Sequence, residues 1–229
     1  MSELGSTRGR ARDAERTREV ILNAAEAVFA EHGFDGACID AIAKASGYNP
    51  SLLFQYFGDK LGLYTAVLKR ADQEASVLYT LLFAPLLEDE TITFDAHKFK
   101  TFLKTAMGAY FDYMVEHPHL IRMIIWEHAE GWQTYAKIAS QLEAEDMEQL
   151  EALFSKAQRA GLLRSDLDVV VVFLLAAQIC WSYPTALPFY QLVLPGRDFS
   201  SAAALARTRE QIIEFIVTGM MADPPETKP

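Results

Sequence analysis

Three glycines cut the first sixty residues into helical pieces, and the lengths of those pieces narrow the fold more than any other feature. Gly33, Gly47 and Gly58 each follow a stretch whose apolar residues recur at helical spacing. The first stretch, from about Asp13 to His32, repeats Val20, Ile21, Ala24, Ala25, Val28 and Phe29 on one face. After the turn Phe34-Asp35-Gly36, a short piece from Cys38 to Ser46 directs Ile39, Ile42 and Ala43 inward. Asn49 then stands where a helix cap belongs and Pro50 at a first helical position, so a third piece runs to Phe57. Asp59 caps a longer helix from Lys60 to about Leu82, closed by Pro85. Two short helices joined at a glycine and braced by longer ones describe a helix-turn-helix, although an ordinary helical hairpin satisfies the same spacing.

The rest of the chain keeps the helical period, with helices expected at Phe94–His117, Pro118–Glu130, Thr134–Ala160, Asp166–Tyr183 and Ser201–Met221. Gly161 and Pro184 punctuate them, Leu86–Thr93 is a polar connection, and Pro184–Ser200 reads as a loop. The fold class is therefore all-α, with about nine helices expected. The expected organisation is a basic disordered arm at 1–12, a helix-turn-helix domain at 13–60, a helical ligand-binding and dimerisation domain at 61–222 and a disordered tail at 223–229.

Charge separates the two parts. A net charge of −10 excludes a protein basic over its whole surface, yet Arg8, Arg10, Arg12, Arg16 and Arg18 face only Asp13 and Glu15 in that segment, a local +3. A basic segment of this kind serves equally as a solubilising tail. The longest apolar run noted, Val169–Ala177, falls short of the ~20 residues that span a bilayer, so a soluble, cytoplasmic protein with no membrane partner is expected. Cys38 and Cys180 are too few for a disulfide framework and lack metal-ligand spacing, and Cys180 among Leu174, Leu175, Ile179 and Trp181 reads as packing.

One family resemblance gathers these features. Ile21-Leu22-Asn23-Ala24-Ala25 through Phe29-Ala30-Glu31-His32-Gly33-Phe34, then Ile39-Asp40-Ala41-Ile42-Ala43, Ala45-Ser46-Gly47, Leu53-Phe54-Gln55-Tyr56-Phe57 and Lys60 with Leu63-Tyr64, resembles the N-terminal domain of tetracycline-repressor (TetR) regulators over about fifty residues. The resemblance implies a homodimer that presents two recognition helices to successive major grooves of a near-palindromic double-stranded operator. It places Tyr56 and Lys60 at phosphates, Gln55 and Asn49 at bases or backbone, and the arginines before the first helix, Arg16 and Arg18 among them, at the DNA. Ser51 and Leu52 complete the expected DNA-facing set. The chain departs from the pattern at Pro50, at Phe54 where tyrosine is frequent, and at Ala37-Cys38 where a Thr or Ser commonly caps the first short helix. Phe54 is expected to pack rather than touch DNA.

For the C-terminal part the family implies an effector site and a two-helix dimer contact. Phe102, Met107, Tyr110, Phe111, Met114, Met123, Trp126, Tyr135, Gln178 and Tyr183 are the expected ligand-binding residues, because aromatics and methionines line adaptable apolar pockets and a few carry a polar tip. Each fills a core equally well. Leu167, Val170, Val171, Leu174, Leu205, Ile212, Phe215 and Ile216 are the expected dimer residues, on helices more apolar than one buried face requires. His117, His119 and His128 with Glu116 and Glu127 fit no standard metal spacing, and no catalytic constellation stands out, so neither metal, cofactor nor enzyme activity is expected. The function expected is a repressor released from DNA by a small, largely apolar effector, with the Lys60 helix as lever. The rival is a helical carrier or enzyme that kept the scaffold without reading DNA; an activator would share the same architecture.

Overall fold

In the computed structural model of the chain, which describes residues 3–141 and 145–222, helix α1 (Glu3–Gly36) is broken at Gly33, where φ is 69° and ψ 179°. That conformation is open only to glycine at little cost, so the helix stops where the sequence places its end. Its start differs. Backbone from Glu3 to Arg12 is helical where an arm without structure was expected, despite Gly5 and Gly9; no proline intervenes before α1's amphipathic part. The expected tail at 223–229 and the first two residues of the arm lie outside the described residues.

Nine further α-helices follow among the described residues: α2 (Ile39–Ser46), α3 (Pro50–Phe57), α4 (Lys60–Glu88), α5 (Ala96–Glu116), α6 (Pro118–Ala129), α7 (Gln133–Ile138), α8 (Glu145–Arg159), α9 (Val169–Val193) and α10 (Ala202–Met220). The only extended pairing among them is an isolated bridge between Leu163 and Met221. The all-α class expected from periodicity is thus observed, with the element between 134 and 160 divided into α7, a 3-10 turn (Ala139–Gln141) and α8. Helix α4 runs past Pro85 to Glu88.

Contacts gather the described residues into two compact units: those within 1–75 and 118–142, and those within 76–117 and 143–229. Helices α6 and α7 therefore belong to the helix-turn-helix unit, and the boundary at 75 falls inside α4 rather than at residue 60. In the first unit, Ile21, Leu22, Ala25 and Phe29 of α1 meet Ile42 of α2, Leu53 of α3, Leu63 and Tyr64 of α4, Met123 of α6 and Ile138 of α7, all buried. Phe29, Phe34 and Tyr64 form an aromatic knot with edge-on contacts at 4.9 and 5.1 Å. Polar ties hold the same elements together. Arg70 of α4 reaches Glu19, Asn23 and Glu26 of α1, and Arg122 and Trp126 of α6 donate to Ala30 O at 3.0 and 3.3 Å, satisfying a carbonyl near α1's end.

The second unit packs Phe99, Phe102, Leu103, Met107 and Phe111 of α5 against Phe154 of α8, Cys180 of α9 and Ile213, Ile216 and Val217 of α10. A two-pronged ion pair joins α10 to α5: Arg209 Nε and Nη2 meet the Asp112 carboxylate at 2.6 and 2.7 Å, lying over Gly108, where any Cβ would strike the guanidinium. Helix α9 corrects two expectations. It continues through Pro184 and Pro188, so the expected loop shortens to the residues after Val193; Ser182 and Thr185 hydroxyls bond to Ile179 O and Ser182 O beside the first proline. Its apolar run is also longer than Val169–Ala177 suggested, since no Asp, Glu, Lys or Arg falls between Asp168 and Arg197. By length and composition alone α9 could cross a membrane, with a mean hydropathy of 1.7 over its best window, of which only 22% is buried.

Candidate DNA-binding site

Helices α2 and α3 are joined by Gly47-Tyr48-Asn49. Gly47 adopts a left-handed conformation (φ 76°, ψ 12°) and its N–H returns to Ala43 O, ending α2 in a turn too tight for a residue with a Cβ to enter freely. Tyr48 ties the turn to α1 through a hydroxyl contact with Thr17 Oγ1 at 3.4 Å. Asn49 caps α3 by accepting the Leu52 N–H at 2.9 Å, and Pro50 occupies the first helical turn, where no N–H is missed. At the start of α2, by contrast, Cys38 holds cap-like backbone angles (φ −123°, ψ 149°) with no side-chain bond to the helix.

The orientation of α3 follows from its inward residues. Leu53 is buried and Phe57 packs on the unit's core, which turns Ser51 and Gln55 fully outward and leaves Leu52 half-exposed. The Gln55 side chain makes no hydrogen bond among the described residues. Phe54 does not pack as expected. It is 48% exposed, because Leu53 and Phe57 already take the places on the unit's core. Tyr56 is half-buried on the core with its ring 6.0 Å from Phe57. Arg16 is exposed, while Arg18 sits with its guanidinium 5.6 Å from the Phe57 ring. Lys60 is engaged within its own unit, donating to Asp35 O at 3.2 Å and lying 4.7 Å over Phe34. Of the eight expected DNA-facing residues, Ser51, Leu52, Asn49 and Gln55 therefore share one end of the unit by way of α3 and its cap.

The sequence missed the polar centre of this unit. Glu127, grouped with the histidines as a weak metal candidate, is buried and accepts the Tyr64 hydroxyl at 2.7 Å and the Tyr135 N–H at 3.0 Å, which caps α7. Burial, then the hydrogen bond to Glu127, pushes the Tyr64 hydroxyl well above the usual tyrosine range. Glu116, His119 and His128 are exposed, and no group of three or more potential metal ligands forms among the described residues.

The expected ligand residues divide between the units. Phe102, Met107, Phe111 and Met114 are buried in the second unit, with Tyr110, Gln178 and Tyr183 half-buried beside them. Burial pushes the Tyr110 hydroxyl up, and Tyr183 donates to Phe199 O at 3.1 Å. Met123, Trp126 and Tyr135 lie in the first unit, where Met123 is core and Trp126 covers Gly33. A groove of about 430 Å³ runs along α5, lined by Leu81, Ile92, His97, Lys98, Phe102 and Ala106 among others, and only Phe102 of the expected set reaches it. Lys98 there is already met by Asp89 at 2.9 Å. Cys180 is fully buried and its thiol is pushed up to about 12 by desolvation, so it stays protonated at neutral pH.

The expected dimer residues also divide. Val171, Leu174 and Phe215 are 50, 52 and 73% exposed, Leu167 and Leu205 are half-buried, Val170 and Ile212 lean on the unit's own core, and Ile216 is inside it. Leu175, Phe189 and Leu192, which the sequence reading did not include, are 52, 60 and 80% exposed. The uncharged run from 169 to 196 was the signal that could have found them.

An all-α chain whose N-terminal unit holds a helix-turn-helix with its second helix turned to solvent is a DNA-binding regulator by architecture. The comparisons place it. Residues 21–67 match the model for bacterial regulatory proteins of the tetR family, and residues 100–216 match the model for the tetracyclin repressor-like C-terminal domain. The chain is 30% identical to the HTH-type transcriptional repressor SCO4008 of Streptomyces coelicolor over 81% of its own length and 87% of the relative's. It is 28% identical to the HTH-type transcriptional repressor NicS of Pseudomonas putida, over 76% of this chain and 78% of that one. The crystal structure of the transcriptional regulator SCO4942 from Streptomyces coelicolor superposes with a TM-score of 0.59 at 26% identity, over 89% of this chain and 98% of that one. The chain belongs to the TetR family of transcriptional regulators.

Proposed function

We propose that the protein is a cytoplasmic homodimeric repressor that binds a near-palindromic operator through α3 and is released when a small, largely apolar effector binds the second unit. The outward face of α3, with Gln55 unbonded and Ser51 and Leu52 beside it, carries this reading. An amide free to pair with adenine and a helix N-terminus capped by Asn49 rather than by a charge suit a major groove. The repressor sign rests on the named function of both relatives. Dimerisation rests on the exposed apolar side chains of α9 and α10, and the effector's apolar character on the aromatic and methionine content of α5.

Selection from a random duplex pool with the full-length protein tests the reading. The enriched sites should be inverted repeats whose half-sites lie one or two helical turns apart, and a reporter placed downstream should fall when the protein is expressed. A single unrepeated site argues against the dimer, and a rise in the reporter argues for activation. An effector must then lower operator affinity by the factor by which operator lowers effector affinity, because coupling is reciprocal.

A further inference from the structure

Helix α3 carries no Asp, Glu, Lys, Arg or His between Pro50 and Phe57, so it has no cation for guanine and no carboxylate for cytosine. Base reading is left to Gln55, to the Ser51 hydroxyl and to whatever apolar surface the helix presents. Phe54 presents the most. One residue before Gln55 and three after Ser51, its ring is 48% exposed and has no aromatic partner among the described residues. Leu52, three before Gln55 and half-buried, adds a smaller apolar patch on the flank of Gln55 away from Phe54. A phenyl ring lacks the hydroxyl needed to hold a phosphate, and stranding it against the polar edges of G·C pairs would gain nothing. The thymine C5-methyl group is the apolar feature that distinguishes a major groove.

We propose that Phe54 is a specificity-determining residue that reads a thymine methyl in each half-site, with Gln55 reading adenine beside it. The proposal rests on the DNA-binding reading above and sharpens it to A·T steps under α3. Covering one methyl group is worth about a fourfold change in affinity.

The test uses the full-length protein and an operator duplex taken from the random-pool selection. Each thymine is replaced in turn by deoxyuridine, which keeps base pairing and removes only the methyl group, and affinity is followed by fluorescence anisotropy. Native protein should lose about fourfold or more at one symmetry-related thymine pair. Phe54→Ala should bind more weakly and become indifferent to uracil at that pair, whereas Phe54→Leu should keep the discrimination. Tolerance of uracil within twofold at every position, or undiminished discrimination by Phe54→Ala, overturns the proposal while leaving operator binding intact. A pool that yields no enriched site overturns both readings. Because the uracil series on native protein needs no variant, the outcome does not hang on the stability of a mutant.

Discussion

Helices α1 and α9 are both long, but α1 spends its apolar face inside its own unit while α9 does not. Ile21, Leu22, Ala25 and Phe29 are completely covered by α2, α3, α4 and α6, and the polar residues around them are paired with one another. Along α9 the buried residues are Val169, Ala176 and Cys180, whereas Val171, Leu174, Leu175, Phe189 and Leu192 remain open. Phe215 of α10 is more exposed still. A monomer seldom keeps so many large apolar side chains of neighbouring helices open to water. The contrast teaches that α1 is covered within its own unit while α9 leaves apolar side chains open, and in the dimer proposed above a second copy of the chain would offer the same uncharged ridge in return.

The sharpest way to break that contrast is to place a charge where completion is expected. Leu174→Glu should leave each chain folded, because the side chain is already half in water, but an unpaired carboxylate carried into a dimer core costs about 3–5 kcal/mol. The dimer dissociation constant should then rise by more than about a hundredfold in sedimentation velocity, with the helical circular dichroism unchanged. Phe215→Glu should do likewise. Dimers that persist at micromolar concentration in both variants would mean that α9 and α10 are open for another reason.

The second test strikes the finished unit. Gly33→Ala puts a Cβ within 3.0 Å of Trp126 Cδ2, at a φ of 69° that alanine adopts only with strain, and the indole is tethered by its bond to Ala30 O. Backbone strain plus a displaced ring should cost about 3 kcal/mol of stability in urea unfolding. A loss below about 1 kcal/mol would show the seat to be soft, and the claim of a self-contained, tightly keyed unit would weaken with it.

What could be read in the sequence follows the same line. In the first unit local chemistry decides: glycine stops, an asparagine cap and period-3.6 apolar residues set the end of α1 and the bounds of α2 and α3 to within a few residues, and the family motif falls in register with them, whereas the start of α1 lies about ten residues earlier than expected. Glu127 was invisible because its partner Tyr64 is 63 residues away, and a buried carboxylate looks in sequence like any surface glutamate. Phe54 was misplaced for a related reason, since pattern shows that an aromatic is apolar but not that Leu53 and Phe57 have already taken the space. In the second unit, proline was trusted as a stop at Pro184, yet the helix continues within a long apolar run. The expected ligand residues fall in both units because α6, although it follows α5 directly, packs on α1.

The smallest effect concerns the start of α2, a helix in the first unit whose cap residue makes no side-chain bond to it. Cys38 precedes α2 with the extended backbone of a cap residue, but its thiol bonds nothing there, while Asn49 before α3 accepts the Leu52 N–H. A hydroxyl has the acceptor strength and reach that the sulfur lacks, and the exposed position imposes no packing cost on the exchange. Cys38→Ser should therefore raise stability by about 1 kcal/mol. It should move the urea midpoint upward without altering the slope, since no additional surface is buried. Operator affinity supplies the finer reading. If α2's N-terminal N–H groups meet a phosphate in the complex, a serine hydroxyl adds a donor to the same oxygen and affinity should rise as well. A gain in stability with unchanged affinity would confine the missing cap to folding, and no gain in either would mean that α2 is held by its neighbours so firmly that its own first turn no longer matters.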